Sequence, residues 1–329
     1  MANETTSTSY SDNSLAYGLG ERVLSASLPK IVLTGLVNEI DISGEPTDTA
    51  RVNRNTDLGV AGAGTEGTEF TTNEEFALAT PVDFVVAEAA AIQRGLVTNF
   101  ALETRFPGVS DVWRALQESG LDQKLAILGV EADRASFPCI EKREDDLCNL
   151  LGGFTGTAGT TTVDITVANL IAAQYTLKTQ EPDHEDWVYV LTPNQVQEVA
   201  LEFGDTGGGK GGSIWVNAGD LSFFNHRPDM PRNGFRGSFM GIPVYEYAHS
   251  LRTLANANAD VCGALMCRGI GDPRKGGQVG GLGLTTRGFL KYHLEYSAGH
   301  RGVIIVVTSD HKALELRDEN GVSLITDAP

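Results

Sequence analysis

Residues 41–80, DISGEPTDTARVNRNTDLGVAGAGTEGTEFTTNEEFALAT, hold few large apolar side chains and abound in Gly, Thr and Asp. A stretch of that composition cannot close a core of its own. Connections of that length without a helix are uncommon inside a compact domain, where they are either functional or disordered. A projecting two-stranded hairpin would satisfy the backbone while burying little, and a lone hairpin is marginal in water. This segment is therefore expected to draw its stability from another surface.

The rest of the chain divides around it. Residues 1–27, rich in Ser, Thr and Asn, lack a sustained apolar period and read as a mobile arm. The spacing of Leu28, Ile31, Val32 and Leu36, broadened by Leu33 and Val37, predicts a short helix with Pro29 in its first turn. Such a helix can dock on the protein's own core or on a neighbouring subunit. Residues 84–106 mix strand and helix signals and stay open between the two.

Residues 110–135 read as helix, with Ser110 as N-cap and Val112, Leu116, Leu121, Leu125 and Leu128 at helical spacing. Phe137-Pro138 is expected to interrupt it, because proline lacks the donor and clashes with the preceding turn. A second piece, CIEKREDDLCNLLGGF, is then expected to end at Gly152-Gly153. TGTAGTT (155–161) reads as a loop, and VDITVANLIAAQYTLK (163–178) as a short strand running into a helix.

The clearest local signal is WVYVLTPNQVQEVALEF (187–203): an apolar strand, then Thr192 as N-cap, Pro193 at the first helical position and Gln195 completing a capping box. GFLKYHLEY alternates as a strand should, VIIVV reads as a buried strand, and ALELRDENGVSLIT as a hairpin turned at Asn320-Gly321.

Charge and motifs narrow the chemistry. With 25 Lys and Arg against 43 Asp and Glu, the formal charge is -18, which repels phosphate backbones at long range. A dedicated nucleic-acid binder is disfavoured, although Arg268–Arg301 is locally basic and suits either packaged nucleic acid or an acidic neighbour in an assembly. The apolar runs are too short to cross a bilayer. Cys139, Cys148, Cys262 and Cys267 form no CxxC pair and are expected as reduced thiols.

GDTGGGKGG (204–212) opens like a phosphate loop. Yet it follows a helix rather than a strand, Lys210 precedes Gly211-Gly212 rather than Ser or Thr, and SIWVNAG after it is not helical. It reads as an exposed connection, with a soluble NTPase using Gly204–Gly212 as the alternative. EPDHEDW (181–187) gathers metal-friendly side chains without HExxH or EF-hand spacing, and the six histidines fit no nucleophile motif. No catalytic residue, cofactor or metal site is assigned, and an enzyme is not expected.

Four stretches together resemble the major capsid proteins of tailed bacteriophages with the Hong Kong 97-type fold. MANETTSTS followed by LPKIVLTGLVNEIDI looks like the arm of one branch of that family. TARVNRNTDLGVAGAGTEGTEF is similar to its extended loop, here with Thr65-Glu66-Gly67-Thr68. WVYVLTPNQVQEVAL and GSFMGIPVYEY (237–247) resemble the strand and proline-capped helix of its axial domain and the turn and strand that follow, with Gly237, Gly241, Pro243 and Val244 in place.

The resemblance implies an α/β (α+β) subunit. Its parts would be an N-terminal arm (1–45), an extended loop (46–83), a peripheral domain with a spine helix (84–162), an axial domain (163–270) and a C-terminal β segment returning to them (271–329). It further implies pentamers and hexamers in an icosahedral virion shell around double-stranded DNA, with scaffolding, portal and decoration proteins as further partners and no membrane. Expected subunit contacts are Leu28, Ile31, Val32, Leu36, Thr65, Glu66, Gly67, Thr68, Glu69, Phe70 and Lys210. An encapsulin-like nanocompartment shell shares the fold and stands as the alternative.

Overall fold

A computed structural model describes residues 9–10, 31–55, 78–98, 121–161, 163–180, 186–205, 235–247, 261–275, 277–288, 290–297 and 302–327. In chain order the strands and helices are β1 (Ser9–Tyr10), β2 (Asn38–Asp41), β3 (Thr49–Asn55), β4 (Leu78–Val85), β5 (Ala87–Thr98), α1 (Leu121–Cys148), β6 (Gly156–Gly159), α2 (Val167–Gln180), β7 (Trp187–Leu191) and α3 (Pro193–Asp205). They continue as β8 (Phe235–Phe239), β9 (Ile242–Glu246), β10 (Val261–Cys267), β11 (Leu282–Thr286), β12 (Lys291–Ser297), β13 (Gly302–Glu315) and β14 (Gly321–Thr326).

They form two six-stranded sheets and one two-stranded ribbon. The β13 sheet runs β1-β12-β13-β11-β2, with β5 on the other side of β13. The β10 sheet runs β6-β14-β10-β7-β9-β8, and the ribbon is β3-β4. The mixture of parallel and antiparallel pairs with helices makes the chain an α/β (α+β) protein, as the sequence implies.

β7 and β10 explain the second sheet. Val188, Val190, Ala264 and Met266 enter one core with Leu147, Leu151 and Leu284, while Tyr189, Leu191, Leu265 and Cys267 enter another with Leu170, Ala173 and Leu177 of α2. Successive strand residues point to opposite faces, so strands covered on both sides need continuous apolar runs. WVYVL and VCGALMC supply them.

α1 lies on the β13 sheet, where Ile127, Leu128, Ala132, Ala135 and Cys139 meet Val303, Ile305, Val307 and Leu294. The helix runs unbroken through Pro138, contrary to expectation. Pro138 and Arg134, whose carbonyl loses its usual donor, both face solvent, so water can take that acceptor. The proline costs about 3 kcal/mol against alanine, and each fully buried apolar side chain of the stripe returns roughly 1.5–3 kcal/mol.

Other expectations are corrected. Residues 31–37 form an irregular turn closed by Leu36 N–H to the Leu33 carbonyl (2.8 Å), not helix, and lead into β2. TGTAGTT contains an edge strand, β6, parallel to β14, whereas 163–166 is not strand. Asn320-Gly321 does not turn a hairpin: β13 and β14 belong to different sheets, and β14 pairs with β10 and β6. Both residues are used for docking. The Asn320 amide donates to the Val279 carbonyl (2.9 Å), and a Cβ on Gly321 would sit 2.3 Å from the Phe154 ring.

The capping box forms as read. Gln195 N–H donates to Thr192 Oγ1 and Thr192 N–H to Gln195 Oε1, both at 3.2 Å, while the Gln195 amide also reaches the Leu324 carbonyl (2.9 Å). Residues 84–98, open in the sequence, are strand apart from Val86.

Candidate assembly surfaces

The ribbon β3–β4 pairs only with itself among the described residues. At its root Ala50, Val52 and Phe84 bury one face against Ile40, Ile42 and Leu316. Its other face carries an exposed bidentate pair, Arg51 to Asp83 at 2.7 and 2.8 Å. That guanidinium holds the Asp83 carboxyl below the ordinary range. The hairpin expected from composition is thus present at its base. Its outer part, residues 56–77, lies outside the described residues, as do Thr65, Glu66, Gly67, Thr68, Glu69 and Phe70.

The β13 sheet has one face covered by α1 and one that is uncovered among the described residues. Opposite α1, three cross-strand rows line up: Lys291, Thr308, Ile92; His293, Val306, Arg94; and Glu295, Ile304, Leu96. Ile92 is 54% and Leu96 40% exposed, with Ile304 and Val306 half-buried between them. Arg94 has no ion-pair partner among the described residues. The result is an apolar strip rimmed by Arg94, Lys291, His293 and Glu295. The alternation that builds it runs through IQRGL, inside the segment the sequence left open.

The β10 sheet carries two more uncovered features, on opposite sides. α2 packs Leu170, Ala173 and Leu177 inward over β6, β14 and β10, yet its outer side shows Ile171 (46% exposed) and Tyr175 (75%). From Val167 to Leu177 the helix has no charged residue, although a solvated helix face is normally polar. At the other edge, the β8–β9 turn holds Met240 at φ 50° and Gly241 at φ 87°, with Met240 66% exposed. Two consecutive positive φ values suit the right-handed twist of a tight hairpin.

The remaining sequence candidates fall as follows. Val32 and Leu36 are buried in this chain's own core and Ile31 is half-buried, while Leu28 and Lys210 lie outside the described residues. The basic stretch 268–301 finds acids within the chain: Arg274 with Glu45 and Asp272, Arg287 with Asp48, Lys291 with Asp310. Burial pushes the Asp310 carboxyl up, but the Lys291 ammonium and the Ala89 N–H outweigh it and hold it below the ordinary range.

All four cysteines are free thiols, and burial pushes Cys139 up to about 11. No cluster of three metal-ligating side chains occurs among the described residues, and 181–185 lies outside them. No described helix is long and apolar enough to cross a membrane.

No family model matches the sequence, and no curated protein matches it. Solved structures do. The capsid of Ralstonia phage GP4 is similar with a TM-score of 0.58 at 10% identity over 89% of this chain and 87% of that one. The head of Helicobacter pylori bacteriophage KHP40 gives 0.52 at 10% over 88% of each. The SrpI encapsulin complex of Synechococcus elongatus PCC 7942 gives 0.50 at 12% over 98% of this chain and 91% of that one. At such identities the likeness is one of fold. The chain has the Hong Kong 97-type fold of tailed-phage capsid proteins.

Proposed function

We propose that this chain is a non-enzymatic shell subunit that assembles with copies of itself, as pentamers and hexamers, into an icosahedral phage head around double-stranded DNA. The observation that carries the reading is the ribbon. A strand pair bonded only to itself among the described residues leads into residues 56–77, which hold Asp57, Glu66, Glu69, Glu74 and Glu75 and no Lys or Arg. That acidic segment suits the face of a neighbouring β13 sheet, whose apolar strip carries Arg94, a cation with no ion-pair partner among the described residues. The chain N-terminal to Val32 is the second element proposed to reach neighbours, through Leu28 and the partly accessible Ile31, whereas 32–45 packs in this chain's own core and β13 sheet.

Residues 163–270 are proposed to meet their symmetry mates around the capsomer axis. The outer side of α2 and the Met240 turn are unlike surfaces on opposite sides of one sheet, so a contact between them is head-to-tail and closes rings when the rotation allows. Lys210, outside the described residues, is proposed to belong to this same region. Scaffolding, portal and decoration proteins are further proposed partners, with the virion as location and synthesis in the host cytoplasm.

Deleting Thr65–Phe70 tests the reading. The fold should survive by circular dichroism, whereas electron micrographs should lose their shells; normal particles from the variant would refute the loop's role. The likeness to an encapsulin keeps a nanocompartment as second reading, separated by whether purified particles contain nuclease-protected DNA or a cargo enzyme.

A further inference from the structure

Near the end of α1, five residues of the charged run Glu141–Asp146, namely Lys142, Arg143, Glu144, Asp145 and Asp146, reach several different parts of the molecule. Asp146 takes a hydrogen bond with His311 Nε2 of β13 (3.0 Å), and His311 Nδ1 lies 3.0 Å from Ser309 Oγ. Lys142 pairs with Asp146 along the helix. Asp145 accepts from the Tyr247 hydroxyl just beyond β9 (3.3 Å). Arg143, buried, reaches Glu39 of β2 at 3.5 Å.

Glu144 is different because its partners are backbone. Its Oε2 accepts the N–H groups of Val32 (3.1 Å) and Leu33 (2.7 Å), and its Oε1 accepts the N–H of Thr34 (3.0 Å) and the Thr34 hydroxyl. One buried carboxylate thus takes four donors from three consecutive residues. Those residues belong to no helix or strand, so little else fixes the direction of their N–H groups. The burial of Val32, Leu33, Leu36 and Val37 holds the segment down but is non-directional. Charge-assisted hydrogen bonds are directional, and a buried carboxylate tolerates few unmade partners.

We propose that Glu144 is a positioning residue: it latches residues 32–34, the root of the N-terminal arm, to α1 and so sets the direction from which the chain enters β2. Its neighbours on α1 tie the same helix to both sheets, so the entry into β2 is registered to them. The consequence for assembly rests on the shell reading; the latch itself does not.

Amide hydrogen exchange on the full-length chain tests it. With Glu144→Gln, which keeps the volume but removes the charge and one acceptor, the amides of Val32, Leu33 and Thr34 should exchange on the order of tenfold faster or more, while those of 127–140 in α1 stay at the wild-type rate. Unchanged rates at 32–34, or equal acceleration along α1, would overturn the latch. Thr34→Val, a milder change, should act in the same direction and add nothing in the Glu144→Gln background; full additivity would overturn the pairing. If wild type forms shells and Glu144→Gln forms identical ones, the link to assembly is wrong. If wild type forms none, the shell reading fails while the exchange data still judge the latch.

Discussion

The ribbon β3–β4 and the central strands of the β10 sheet are both built from paired strands, but they bury very different shares of themselves. In β7 and β10 the described side chains from Val188 to Leu191 and from Gly263 to Cys267 are buried on both faces, between α2 and α3 on one side and the Leu147–Leu284 core on the other. In the ribbon, only alternate residues at the root are buried, and Arg51, Asp83 and Val85 stay in water. Backbone pairing is the same in kind; what differs is the apolar area it brings together. The comparison separates strands that stabilise the subunit from strands that, in the proposed shell, draw further stabilisation from a second subunit. Changes in the first should unfold the chain, and changes in the second should spare it.

The largest effect is expected at Gly159. Its φ of +90° belongs to the left-handed side, and an added Cβ would lie 2.1 Å from the Ile325 carbonyl oxygen. Gly159→Ala should detach β6 from β14 and lower unfolding free energy by about 3 kcal/mol or more, read from the urea midpoint. Gly241→Ala, also at positive φ but with open space around it, should cost only about 1–2 kcal/mol. Equal losses would mean that the β6–β14 edge contributes little.

Next comes the cap of α3. Thr192→Ala removes the acceptor for Gln195 N–H and should cost about 1 kcal/mol in the same measurement. No loss would show that the N-terminus of α3 is held by packing alone.

Acid should weaken the β13 sheet through Asp310. Its folded pKa is depressed, so its contribution is fully present above the unfolded carboxylate value, about 4, and disappears as pH falls through the depressed folded value. The fall in urea midpoint between neutral and strongly acidic pH should be smaller in Lys291→Ala, which lacks the pairing ammonium. An identical fall would remove Asp310 from the explanation.

The smallest effect is expected in the ribbon. Arg51→Ala breaks an exposed pair, and exposed pairs contribute little, so the melting temperature of the dispersed chain should not move measurably. A clear drop would break the comparison, because the ribbon would then be stabilising its own subunit.

What was legible in the sequence follows the range of the interaction. The capping box at Thr192 and Gln195 was legible because it is written within four residues, and the ribbon because a long stretch poor in apolar side chains cannot bury itself. α1 running through Pro138 was not legible, since the proline is tolerable only because it faces solvent, and that depends on which side of α1 meets the β13 sheet. The turn at 31–37, expected as helix, was not legible because the N–H groups of Val32, Leu33 and Thr34 are taken by Glu144, more than a hundred residues away. β6 was missed because GTAG has strand character only once β14 lies beside it. The failed hairpin at Asn320-Gly321 is the same lesson reversed: a good local turn signal lost to the longer strand pairing of β14 with β10. Of the expected contact residues, Val32 and Leu36 proved to be core, whereas Ile92, Leu96, Ile171, Tyr175 and Met240 emerged as exposed only from the fold.

Negative-stain electron microscopy of the purified full-length chain tests the central claim most directly. The account predicts closed isometric shells built from rings of five and six subunits. A preparation that remains monomeric at every concentration, or that forms only open filaments, would contradict it.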